Sequence, residues 1–246
     1  MRKSAIAELK PSSRDASPLY LQLARRLGVA VRNGRYQAHE ALPSERLLSE
    51  SLGVSRVTAR KAIDLLVDQG LIVRRRGSGN YIAPHLEQPL SRLTSFSEEL
   101  HQRGYTPSSR WLDRSITAAT SDERRSLGLS SKTRVARLER LRLADGVAMA
   151  YEMSVLPQTV LPHPEAVDGS LYEHLTAIGQ LPVRAQQHIR ALNSPPRLAG
   201  QLGVPVGQAV LFITRIGYLE SGVAVELTHS YCHSDYYDFV AEMRRE

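Results

Sequence analysis

Two helical patterns between residues 44 and 69 are separated by almost nothing. The first opens at Pro43-Ser44, where the Ser44 hydroxyl can accept the orphan amides of a first turn, and it runs through Glu45 to about Ser51. Gly53 follows at the place where a left-handed residue ends a helix. Only Val54 then precedes Ser55, a second cap, and the next helix runs to about Gln69 before Gly70 stops it. Two short helices joined by so tight a glycine turn make a helix-turn-helix. The flanks extend it. Leu19, Leu23, Leu27 and Val31 recur every four residues behind Ser17-Pro18, which predicts a helix over 17–33 capped by Ser17 and stopped by Asn33-Gly34. Residues 71–83, LIVRRRGSGNYIA, set two β-prone runs on either side of Gly77-Ser78-Gly79, a hairpin. Helix, helix-turn-helix and hairpin together make a winged helix over 17–83.

Charge follows this boundary. The chain has 246 residues, enough for two modest domains, and a formal net charge of +7. Lys and Arg outnumber Asp and Glu by 15 to 7 over residues 1–83 and fall one short, 17 to 18, over residues 84–246. All of the positive excess therefore lies in the first third, which points to a polyanion partner for that part alone. Residues 1–16, with Arg2, Lys3, Lys10 and Arg14, read as a flexible basic arm, and Pro84 and Pro89 mark a linker over 84–93. The single Cys232 excludes a disulfide framework within the chain and fits a reducing compartment. No apolar run approaches the ~20 residues that span a bilayer, and the start carries no secretory h-region, so a cytoplasmic protein without a membrane partner is expected.

On a wheel, Ala59, Ala62, Ile63, Leu66 and Val67 of the third helix share one face, and Val57, Arg60, Lys61, Asp64 and Asp68 the opposite arc. Cations lead and carboxylates trail, as in a helix that enters the major groove by its N-terminal end. Arg56 in the first turn can reach base edges, Arg46 a phosphate, and Arg74, Arg75 and Arg76 lie in the hairpin. The runs PLYLQLARRLGVAVRNGRY and LPSERLLSESLGVSRVTARKAIDLLVDQGLIVRRRGSGNYIA resemble the GntR-family winged helix over its full length. That resemblance implies DNA contact by Arg46, Ser55, Arg56, Thr58, Arg60 and the wing tip Arg76-Gly77. Where many relatives have a glycine before LPSER, this chain reads His39-Glu40-Ala41.

The rest of the chain alternates differently. Strand-like segments fall near 108–118, 133–144, 147–156, 183–192, 208–219 and 223–233, with hairpin turns at Asp145-Gly146 and Ser221-Gly222. Short helices fall at the Ser95 segment ended by Gly104, at 120–127, at 170–178 capped by Ser170, and at 195–202 capped by Ser194. This predicts an α+β domain on a mostly antiparallel sheet over 94–246. The pieces LTSFSEELHQRGYTPSS, RLERLRLADGVAMAYEMSVLP, GSLYEHL and VELTHSYCHSDYYDFV are similar to the UTRA ligand-sensing domain of the HutC subfamily, which resembles a chorismate-lyase fold.

Arg140 and Arg142 stand at i and i+2 on a strand, so both point to one face and are costly to bury without an anion. Carried over from the subfamily, the effector pocket comprises Ser95, Phe96, Ser97, Arg140, Arg142, Glu152, Ser170, Tyr172, Glu226 and Tyr231. Arginines and helix N-termini would hold an acid group, and Glu152 and Glu226 would accept hydroxyl or amino hydrogens. Ser95 and Ser170 as plain caps, Arg142 paired with Glu152, and Tyr172 as core are the alternatives. Relatives read S-x-Y-R-G-D where this chain has Ser230-Tyr231-Cys232-His233-Ser234-Asp235. The effector expected is a small anionic metabolite, an amino-sugar phosphate by subfamily habit or a carboxylate. No catalytic triad, metal spacing or cofactor motif is readable, so no cofactor and no enzyme activity is expected. The leading reading is a homodimeric, ligand-responsive repressor on a palindromic operator; a chorismate-lyase-like enzyme and a sequence-tolerant architectural DNA binder are the rivals.

Overall fold

The computed structural model describes residues 6, 8–12, 15–32, 35–36, 40–75, 78–83 and 86–243. The Asn33-Gly34 stop, His39, the wing tip Arg76-Gly77, Pro84 and most of the cationic start lie outside them. The chain divides into two compact units, Met1–His85 and Leu86–Glu246.

The first unit holds helices α1 (Leu19–Arg32), α2 (Glu45–Leu52) and α3 (Arg56–Asp68), then strands β1 (Ile72–Arg75) and β2 (Gly79–Ile82) paired as a hairpin. Leu23, Leu27, Leu48, Leu52, Ile63 and Leu66 form its core with Ile72 and Ile82 of the hairpin. The turn between α2 and α3 is built as its residues require. Gly53 takes φ 67° and returns its amide to the Ser49 carbonyl at 3.0 Å, and the Ser55 hydroxyl accepts the Thr58 amide at 3.0 Å. A side chain at Gly53 would be strained by that backbone.

Two expectations change here. The carbonyl of Pro18 accepts the Leu21 and Gln22 amides, while the Ser17 hydroxyl donates to Asp15 at 2.7 Å instead of capping α1. Within the expected flexible arm, two of the described residues are packed: Ile6 and Leu9 are 1% and 3% exposed within the first core. Two buried apolar side chains gain more by leaving water than a solvated arm gains by freedom.

The second unit is a six-stranded antiparallel sheet in the order β4-β5-β6-β9-β8-β7, made of β4 (Pro107–Ala118), β5 (Arg134–Ala144), β6 (Val147–Pro157), β7 (Arg184–Asn193), β8 (Ala209–Tyr218) and β9 (Ala224–His233). Helices α4 (Phe96–Gln102), α5 (Ser121–Leu127), α6 (Leu171–Ala177) and α7 (Pro196–Leu202) are distributed between them. Because successive residues face opposite sides, Arg140, Arg142, Glu152, Arg215 and Glu226 meet on one face. On the other, α7 packs on Leu141 and Val210, and α5 on Val135 and Val155.

Part of the expected linker is structured. Leu86–Pro89 forms strand β3, paired in parallel with β10 (Tyr237–Val240), Leu86 against Tyr237 and Gln88 against Phe239. Leu86 is 1% exposed and Gln88 8%, so this segment is a wall of the second unit and not a connector. Ser194 does not cap α7 either; its hydroxyl donates to the Pro205 carbonyl at 3.1 Å, and Pro195 stands at the cap.

Removal of residues 1–12 is expected to lower the stability of the first unit by about 1.5–3 kcal/mol for each of the two buried side chains. Chemical denaturation followed by circular dichroism checks this; an unchanged transition would mean that the segment carries no load.

Candidate DNA interface and effector cavity

In the first unit, Arg46 of α2 and Arg56 and Arg60 of α3 share a shallow groove with Ser78, Gly79 and Asn80 of the wing. Ser55 and Thr58 sit in the same first turn, where their hydroxyls stand 2.9 Å apart. The Arg60 guanidinium is not idle. It contacts Glu45 Oε2 at 2.9 Å, a strut from α3 to α2 whose hydrogen bond raises its pKa. Arg46 stands 3.9 Å from Glu50, a loose pair, and Arg56 has no ion-pair partner among the described residues. Val57, 62% exposed, lies beside them and offers the apolar contact that a thymine methyl accepts. Its signal was its place on the polar arc of the wheel.

In the second unit the covered face of the sheet encloses a cavity of about 60 Å³. Eight of the ten residues expected for the effector line it: Ser95, Phe96, Arg140, Arg142, Glu152, Ser170, Tyr172 and Glu226. Ser97 stands behind them, its hydroxyl accepting from Arg142 at 3.2 Å. Tyr231 is the correction. It faces the other side of the sheet, its ring tilted against Phe212 at 4.7 Å and near Tyr151 at 5.8 Å, because the two-residue period sends Ser230 and Cys232 to the cavity instead.

Ser95 and Ser170 do cap their helices. Ser95 forms a complete capping box with Glu98, so its hydroxyl and its own amide are used within α4, and the Ser170 hydroxyl accepts the Glu173 amide at 3.4 Å. The charges divide the cavity into two ends. Arg140 donates to Glu152 at 2.8 Å and to the Gly169 carbonyl at 3.1 Å, with its guanidinium 5.0 Å from the centre of the Trp111 ring. Although burial opposes it, these arginines hold the Glu152 carboxyl below its usual pKa.

Arg142 is 2% exposed, 4.5 Å above the Phe96 ring and 4.0 Å from Glu152, and it donates to Ser109 and Ser97, each at 3.2 Å. Its Nε has no hydrogen-bond partner. Burial, then the neighbouring Arg140 cation, pull it down to about 9, so at neutral pH it remains a cation with too little compensation.

At the other end stands Arg215, which sequence reasoning missed. Its Nε donates to Gln187 at 2.9 Å, and its charge faces Tyr172 and Glu226. Tyr172 donates to Glu226 at 2.9 Å and Thr228 to the same carboxyl at 2.7 Å. Burial raises the Glu226 pKa, against the pull of Arg215. A solitary arginine in FITRIGY carries the signal that Arg140 and Arg142 carried, and the register that places Gly217 opposite Glu226 completes it. Glu99 also lines the cavity but is held by Thr94 at 2.6 Å and Arg103 at 3.5 Å. Three arginines then face Glu152 and Glu226.

Among the described residues, no group of His, Cys, Asp and Glu is arranged to hold a metal ion, and no helix is long and apolar enough to cross a membrane. A winged helix joined to an effector-type sheet domain defines a transcription regulator. Residues 19–82 match the model of bacterial regulatory proteins, gntR family, and residues 102–238 match the UTRA domain. The chain is 35% identical to the HTH-type transcriptional repressor NagR of Bacillus subtilis over 93% of this chain and 96% of that one. It is 29% identical to the HTH-type transcriptional regulator GgaR of Escherichia coli over 93% and 92%. The crystal structure of PhnF from Mycobacterium smegmatis superposes with TM-score 0.63 at 26% identity, over 91% of this chain and 99% of that one. The chain therefore belongs to the GntR family, in its HutC-type branch with a UTRA domain, and it is a transcription regulator rather than an enzyme.

Gly217 tests the construction of the cavity. A Cβ there would stand 3.0 Å from Glu226 Oε2 and from Pro182. Gly217→Ala is expected to cost about 1–3 kcal/mol, as overpacking does, read from urea denaturation of the full chain.

Proposed function

We propose that this regulator is a repressor that binds a palindromic operator as a homodimer in the cytoplasm, and that a small anionic metabolite in the cavity sets its operator affinity. The observation that carries the reading is Arg142, a buried cation beside a second cation, with an unpartnered Nε in a cavity where arginines outnumber the carboxylates left to answer them. A phosphate or carboxylate supplies the missing charge and the missing acceptor. The residues proposed to hold it are Ser95, Phe96, Ser97, Arg140 and Arg142, with Glu152, Ser170, Tyr172 and Glu226 about the remainder; Tyr231 is not among them.

The acid is an amino-sugar phosphate, as the HutC resemblance implies, or a sugar-linked carboxylate. A relative supports the latter as well: the mannosyl-D-glycerate transport/metabolism system repressor of Escherichia coli is 28% identical over 93% of this chain and 97% of that one. Repression is supported by the NagR relative. The dimer is supported by the half-site argument, since one winged helix reads only half of a palindrome. Arg46, Ser55, Arg56, Thr58, Arg60, Arg76 and Gly77 are proposed as the DNA contacts. Arg60 acts partly by fixing α2 against α3 through Glu45.

The test is fluorescence anisotropy on an operator selected from random duplexes, with and without a panel of sugar phosphates and sugar acids. Metabolite must shift operator affinity, and by linkage operator must shift metabolite affinity by the same factor. Affinity unchanged across the panel would remove the regulatory reading. Arg56→Ala is expected to flatten preference at one base pair by about 1–3 kcal/mol, and binding should weaken steeply with salt.

The cation, and not the neutral guanidine, receives the anion. Metabolite affinity should therefore hold from pH 7 upward and fall as pH rises through about 9 in wild type, with no such fall in Arg142→Ala. Calorimetric titration across that range reads it.

A further inference from the structure

The cavity that holds Arg142 is about 60 Å³, room for a compact acid group, whereas sites that enclose a whole metabolite run to roughly 300–1,000 Å³. Next to it lies a second, open groove of about 600 Å³ within the same unit, between the segment 88–93 and the edge strand β7. The two adjoin at a common border. Gln88 and Arg215 line both.

Arg215 stands at that border. Its Nε donates to Gln187 on the groove side at 2.9 Å, while its charge acts on Tyr172 and Glu226 on the cavity side. Arg92 and Arg184 complete the groove, both exposed, Arg184 lying 4.1 Å over the Tyr218 ring. Among the described residues that line it there are three arginines and no carboxylate. A groove with one sign of charge raises the local concentration of the opposite sign.

We infer that the effector is an elongated metabolite with negative charge at both ends, one seated at Arg142 in the inner cavity and the other between Arg92 and Arg184 in the outer groove. Arg215 and Gln88 hold the middle, where an amide and a guanidinium suit hydroxyl or ether oxygens. Sugar bisphosphates and phosphorylated sugar acids have this character. The inference rests on the anion reading of the inner cavity and adds a subsite to it.

Linear probes avoid any dependence on sugar stereochemistry. Calorimetry on the full chain compares alkyl monophosphates with α,ω-alkanediol bisphosphates, from propane to octane. A bisphosphate of matching length is expected to bind about tenfold more tightly than its monophosphate, the worth of one charge-assisted contact. In the Arg92→Ala/Arg184→Ala variant that advantage should disappear while monophosphate affinity stays at the wild-type value. Both residues are exposed, so the variant keeps its fold, which circular dichroism checks.

Bisphosphates that match monophosphates at every length would overturn the outer subsite and leave the inner one standing. An advantage that survives in the double variant would overturn it equally. Wild type that binds neither series, or binds both unchanged in Arg142→Ala, would instead remove the inner reading on which this one rests.

Discussion

Two arginines buried side by side on one strand govern the second unit. Arg140 and Arg142 are 3% and 2% exposed, and an uncompensated buried charge costs several kcal/mol. Each element that covers this face of the sheet supplies part of the compensation. The neighbouring strand β6 gives Glu152, opposite Arg140 in register; β4 gives the Trp111 ring and the Ser109 hydroxyl; α4 gives Phe96 and Ser97; the turn before α6 gives the Gly169 carbonyl. The compensation is complete at Arg140 and incomplete at Arg142, whose Nε has no partner. Two arginines only two positions apart on the same strand therefore differ in how fully their charge is answered.

The readable part of this structure was the part with a local period. The six long strands lie within two residues of where alternation placed them, since β5–β6 and β8–β9 join through glycine turns and β4 runs into the helix capped by Thr120. Strands β3 and β10 were not readable. Each is four residues long, β3 is LEQP with a proline inside it, and their parallel pairing joins segments some 150 residues apart in sequence, for which no neighbour gives a signal. The same distinction divides the site. Arg140, Arg142 and Glu152 share a hairpin, so their meeting is a local fact. Arg215 and Glu226 also stand on consecutive strands, but it takes the fold to bring Tyr172 and Gln187 to them. Tyr231 was misplaced by a single residue, which in a strand reverses the face.

The charge of the first unit is likewise less free than its sum. Arg60 is committed to Glu45 and Arg74 to Asp64, contacts that fix α3 against α2 and against the hairpin. Exposed pairs of this kind add little stability, yet they orient the elements that carry the remaining cations. Arg56 and Val57, at the N-terminal end of α3, stand outside this network and project from its best-anchored helix, whose Ala59, Ala62, Ile63 and Leu66 are fully buried. The excess positive charge is thus of two kinds, one that builds the frame and one that the frame presents.

The position of β3 joins these two electrostatic designs. Leu86 and Gln88 are among the first residues of the second unit and also line its cavity, and β2 of the wing ends at Ile82. The chain leaves the DNA-binding unit and within a few residues becomes a wall of the cavity. The partner of that wall, β10, places Tyr237 on the same cavity, and the carbonyl of Tyr236 just before it accepts the Leu86 amide at 2.7 Å. A ligand that contacts this wall more favourably in one position than in another must, by linkage, bias the position of the backbone at residue 86, and by no more than that difference in affinity. Burial of Leu86 ties that position to the packing of the second unit and not to a solvated connector.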